Sequence, residues 1–166
     1  MVQDALIVLT SQLTYGAKYG ALSHVAWEWT EVTGKYKGCP YWTTMAIIHC
    51  LATKSCKGLR HEHVVPKKVF IDLLFSLAPP SPEAIRDICD RFLIGVVVTL
   101  EEDAVLNIEY GSSMPREFSD PASPDYRNPW LRYRRYPMIE VVPMPTDPKL
   151  WPGFEILRRP QAERGE

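Results

Sequence analysis

Between Arg60 and Lys68 the chain reads Arg-His-Glu-His-Val-Val-Pro-Lys-Lys. Imidazole is the side chain best suited to take a proton from water near neutral pH. A carboxylate suits a hard cation such as Mg²⁺ or Mn²⁺, which wants oxygen ligands. In an extended segment His61 and His63 project to one face and Glu62 to the other. Pro66 suits the first turn of a helix, where its missing N–H costs nothing. Lys67 and Lys68 then stand at the positive end of that helix, where phosphates can be held. A second group of cations, Arg132, Arg134 and Arg135, is interleaved with Tyr133 and Tyr136, a pattern that suits nucleic-acid backbone contacts and base stacking. Plainer readings stand beside these: His63 as a structural histidine tied to a loop carbonyl, and the arginine run as an edge strand or turn kept soluble by its charges.

Glu62-His63-Val64-Val65-Pro66-Lys67 resembles the opening motif of the HNH nucleases, the His-Me finger fold, in which an acidic residue or a histidine precedes the catalytic histidine in a run of the form [D/H/E]-H-[I/V]-x-P. Val96 to Asn107 resembles the closing strand and helix of that family, in the variant LVxLTxxEH. The resemblance covers about residues 59–107. It implies a small ββα-metal element with His63 as general base, Glu62 as a metal ligand and Asp103 where the second ligand is expected. It further implies Mg²⁺ or Mn²⁺ as cofactor and metal-assisted hydrolysis of phosphodiesters, with Lys67, Lys68, Arg132, Arg134 and Arg135 along the nucleic acid. The chain departs from the pattern in three places. Asp103 stands for a histidine, the family's central asparagine falls near Ile94 or Gly95, and a helix around Glu83–Phe92 lengthens the span between the motifs. A second reading therefore stays open: a catalytically inactive HNH-like module, protein-binding or inhibitory, acting through a partner protein. Five tryptophans and a proline-rich last third suit a protein interface, where aromatics concentrate.

The elements that must position these residues can be read from periodicity and punctuation. Gln3 to about Thr33 predicts helix, broken near Gly16–Gly20, with Ser23 as a cap. Gly34 to Pro40 is a breaker. Tyr41 to Lys54 predicts a second helix with Trp42, Met45, Ile48 and Leu51 on one buried stripe. Leu59–Val65 is extended, and Pro66 opens a helix to about Leu77. Ser81 caps a helix to about Phe92. Gly95–Leu100 is β-branched and strand-like, and Thr99 with Glu102 forms a capping box for a helix from Glu101. After Gly111 proline is frequent, so long helices are not expected. The expectation there is an extended wrap pinned by Trp130 and Trp151, with a short strand at Ile139–Val142. The fold class predicted is α+β, mainly helical, with a small ββα-metal-like element and a proline-rich extended C-terminal third. It forms one domain, 1–166, made of a helical part (1–58), the HNH-like element (59–107), the wrap (108–160) and a disordered tail (161–166).

With 166 residues the chain can bury a core without staples. Nineteen basic against twenty acidic residues argue against coating nucleic acid by bulk charge, while leaving room for a local basic patch. The apolar runs Ala5–Leu9 and Phe92–Leu100 fall short of the roughly 20 residues that cross a bilayer, and the first residues lack the marks of a signal peptide. A cytoplasmic protein without membrane contact is expected. Its four cysteines have no Cys-x-x-Cys pair, so reduced thiols are preferred to a zinc site on Cys50, Cys56 and a histidine.

Overall fold

The computed structural model describes residues 1–31, 35–36, 39–145 and 147–151. Helices α1 (Val2–Thr10) and α2 (Tyr15–Thr30) precede a short strand β1 (Tyr41–Thr43), which runs directly into α3 (Thr44–Thr53). Strand β2 (Leu59–His63) is followed by α4 (Lys67–Phe75) and α5 (Pro82–Phe92), then by β3 (Gly95–Thr99) and α6 (Leu100–Tyr110). Beyond these lie a 3₁₀ turn (Arg116–Ser119), the one-turn helix α7 (Leu131–Arg134), strand β4 (Val141–Pro143) and a 3₁₀ turn (Pro148–Leu150). The fold is α+β, with a four-stranded mixed sheet in the order β2-β3-β1-β4. β2 pairs antiparallel with β3, β3 parallel with β1, and β1 antiparallel with β4.

The strongest local signals are realised. The Ala84 N–H donates to the Ser81 hydroxyl at 3.2 Å, and Pro82 opens α5. Thr99 and Glu102 form both bonds of a capping box at the start of α6. Every residue of β3 is buried, as a strand covered on both faces must be. One apolar cluster joins α1, α2, α4 and α5 around Leu22, Phe70, Leu74 and Ile85. A second surrounds Trp42, Cys50, Cys56 and Trp151, and a third holds Val96, Val98, Leu106, Tyr133 and Ile139.

Three expectations are corrected. The first helical stretch breaks at Ser11–Thr14, where the Ser11 hydroxyl donates to the Val8 carbonyl and Thr14 caps α2. Gly16 and Gly20 lie inside α2, because a helical glycine costs only about 1 kcal/mol and α2 buries Leu22, Val25 and Ala26. Tyr41–Thr43 is strand rather than helix, since pairing with β3 and β4 satisfies its backbone. Thr43 then caps α3. This turns the phase of α3, so Ala46 and Cys50 are buried while Met45, Ile48 and Leu51 are exposed at 52%, 51% and 49%. Finally, Arg132–Tyr136 is not an edge strand: its first residues form α7.

Trp151 is buried against the second cluster and Trp130 packs on Tyr41 and Tyr133. Val32 and Thr33 at the expected end of the first helical stretch, the breaker glycines Gly34 and Gly38, and residues 152–166 lie outside the described residues. Among the described residues no helix is long and apolar enough to cross a membrane.

Candidate functional site

The strand register decides what each residue of the His-Glu-His run meets. His61 stands opposite Val97, Glu62 opposite Val96 and His63 opposite Gly95. Paired residues share a face of the sheet, so Glu62 lies with Val96, and the two histidines with Gly95 and Val97. The alternation expected from the sequence is thus present, and it sends Glu62 and His63 into different surroundings.

On the first face, Glu62 meets α7. Arg132 donates through Nη2 to Glu62 Oε1 and, at 2.9 Å, to the His63 carbonyl; its Nη1 donates to the Tyr110 carbonyl at 3.0 Å. The Tyr133 hydroxyl donates to Glu62 Oε2 at 3.2 Å. Arg132 is 0% exposed. Burial pushes the Glu62 carboxyl up, and the guanidinium and phenol pull against it. The Tyr133 phenol is held well above its ordinary range by burial and then by the Glu62 charge. A short helix is therefore clamped to β2 and to the end of α6 by one arginine.

Asp103 stands in the first turn of α6, half-buried, and accepts from the Asn107 amide at 3.0 Å. Its charge reaches Glu62 and pushes that carboxyl further up. The preceding acid of α6, Glu102, accepts from the Thr43 hydroxyl at 2.6 Å and from the Thr99 N–H at 2.9 Å.

On the opposite face, His63 is 4% exposed, with Nε2 3.3 Å from the Thr30 hydroxyl. The Trp27 ring meets it edge-on at 4.7 Å, and the His61 ring lies 5.2 Å away. The Lys67 ammonium sits 4.4 Å from the centre of the Trp27 ring. Burial brings His63 down to about 4; the Ala26 carbonyl opposes this, and the Lys67 and Arg132 cations add to it. His61 is brought down to about 3 by burial, then by His63 and Lys35. Its Nδ1 is 3.3 Å from Glu31 Oε1, yet neither ring nitrogen makes a hydrogen bond among the described residues. Both imidazoles are neutral at pH 7. A Cβ on Gly95 would stand 2.4 Å from His61 Nε2 and 2.8 Å from Cys39 Sγ. Of the two positions near which the HNH pattern expects an asparagine, Gly95 has no room for a side chain and Ile94 carries an apolar one packed on the third cluster.

The arrangement does not fit a divalent cation as it stands. Both Glu62 oxygens already accept hydrogen bonds, and a cation there would face a buried guanidinium. Among the described residues no three His, Cys, Asp or Glu side chains gather as a metal-holding group; this includes Cys50 and Cys56, which adjoin in an apolar cluster. Of the cations expected along a nucleic acid, Arg132 is inside the protein. Lys68 pairs with Asp72 at 2.6 Å, Arg134 with Asp125 at 2.8 Å and Arg135 with Glu117 at 2.5 Å. Those three pairs are exposed and hold their cations weakly.

Sequence reasoning did not anticipate Trp27, Thr30 and Glu31 against the histidines, or the Arg132–Glu62 clamp. The alternation in residues 61–63 signalled that some element must cover each face, but nothing local says which. No protein-family model, curated protein or solved structure matches the chain.

Proposed function

We propose that the protein is a catalytically inactive module of HNH-like outline that acts by binding a partner protein. The observation that carries this reading is the engagement of Glu62: the carboxylate that would hold a metal is bound by Arg132 and Tyr133, while His63 is buried behind Trp27. The outline is supported by the order of elements, since β2 and β3 pair antiparallel and α6 follows β3 at once, with α4 and α5 inserted between the strands. Action through a protein is favoured by α3, where Met45, Ile48 and Leu51 are exposed at helical spacing and no residue from Thr44 to Thr53 carries a formal charge with histidine neutral. An apolar helix face of this kind suits a protein surface better than a phosphate backbone.

The rival reading draws on the same β–β–α order. It is phosphodiester hydrolysis with His63 as base and with Glu62 and Asp103 on Mg²⁺ or Mn²⁺, and it requires Arg132 to release Glu62. Incubating supercoiled plasmid, single-stranded DNA and RNA with Mg²⁺, Mn²⁺ or EDTA, wild type beside His63→Ala, separates the two. The expected result is no cleavage by either protein, both folded by circular dichroism. Metal-dependent cleavage lost in His63→Ala would replace the binding reading with the nuclease.

A further inference from the structure

Two surface hollows, about 520 Å³ and 260 Å³, adjoin at Leu73, Ser76 and Arg127, which line both. Their lining is mixed: apolar side chains, Val69 and Met114 in the first and Ile88 and Phe92 in the second, stand beside polar ones such as Ser119. Most of the charge along this trough is balanced. Lys68 pairs with Asp72 at 2.6 Å, and Arg91 with Asp87 at 3.5 Å. Arg127 differs: its guanidinium lies 5.4 Å from the Phe118 ring centre and 5.2 Å from that of Tyr126, with no carboxylate paired to it among the described residues. A guanidinium held on aromatic faces keeps its edge donors for a carboxylate. The backbone at Arg127 is left-handed, φ 57°, a conformation that costs a non-glycine residue roughly 1 kcal/mol. A glycine would relieve that cost, and an arginine stands there instead.

We propose that this trough receives an extended peptide segment of a partner protein and that Arg127 takes an acidic side chain of it. The two adjoining hollows suit an extended chain, their apolar lining residues suit its apolar side chains, and the guanidinium of Arg127 selects an acid. The proposal rests on the reading that the protein acts through a partner. Its test is independent of the cleavage assay, so the two fail separately.

The test is selection of a random nine-residue peptide library on the full-length chain, followed by fluorescence anisotropy of the enriched peptides. The expected peptides share an acidic residue at one register position. They lose about tenfold or more in affinity against Arg127→Asn, the scale of a charge-assisted bidentate pair. Asparagine tolerates the left-handed backbone, so this variant keeps the fold, and an unchanged melting temperature confirms it. A glutamine in place of the peptide's acid reproduces the loss. Three outcomes overturn the proposal: no enriched peptide; peptides without a shared acid; or binding that survives Arg127→Asn but is lost in Ile48→Glu, which would place the peptide on α3. Displacement of every peptide by millimolar inorganic phosphate would assign the trough to small oxyanions and overturn it as well.

Discussion

Arg132 carries more of the local structure than any other charged side chain near the His-Glu-His run. Its three hydrogen bonds reach Glu62, the His63 carbonyl and the Tyr110 carbonyl, so one residue joins α7, β2 and α6. Removing one partner of such a buried pair leaves the other charged and unsolvated, which costs about 3–5 kcal/mol, whereas replacing both by apolar groups of similar volume costs much less. Arg132→Met is therefore expected to destabilise by that amount in urea titration, and Arg132→Met with Glu62→Leu to recover most of it. Equal losses in the single and double variants would mean that the pair is not coupled. The sequence does show these residues as charged and near aromatics. It does not show that they meet, because they stand 70 positions apart in the chain.

At the scale of elements, the boundary between β1 and α3 has the largest consequence. A helix from Tyr41 would place Trp42, Met45, Ile48 and Leu51 on one buried stripe. The strand ends at Thr43 instead, and Trp42 alone of the four is inside, at 1% exposed. Trp42→Ala is expected to cost about 3–5 kcal/mol by emptying a core site, while Ile48→Glu is expected to stay within about 0.5 kcal/mol of wild type, as exposed positions do. Melting temperatures of the two variants check this, and a severe loss in Ile48→Glu would return α3's stripe to the interior. The helices α5 and α6, by contrast, begin where their caps predict, since Ser81 and Thr99 act on N–H groups only three residues away.

For the whole molecule, the buried histidines make stability depend on pH. In the folded state His63 titrates near 4 and His61 near 3, against an ordinary value of about 6.5. As pH falls below 6.5 the unfolded chain gains these protons first, so the stabilisation is fully present above 6.5 and is lost as pH drops toward 4 and then 3. Each imidazole contributes up to about 1.4 kcal/mol per pH unit in that window. Glu31 and Glu62, raised by burial, act with the opposite sign near their own range and blunt the lower end. Urea midpoints measured from pH 7.5 to 5.5 are expected to hold level down to about 6.5 and to fall below it for wild type, and to stay flat throughout in the double variant His61→Gln, His63→Gln. A flat wild-type profile would mean that the imidazoles reach solvent.

What the sequence alone determined is what neighbours within a few residues can enforce: the alternating faces of His61, Glu62 and His63, the proline entry to α4, and the caps of α5 and α6. What only the tertiary structure decided is what those faces meet. Glu62 is met by Arg132, His63 by Thr30 and Trp27, and Gly95 by the His61 ring that excludes a side chain there. Caps and alternation arise from local geometry, and so are written in short spacings. Strand pairing and burial of charge bring together segments far apart in the chain, through packing that no short spacing encodes.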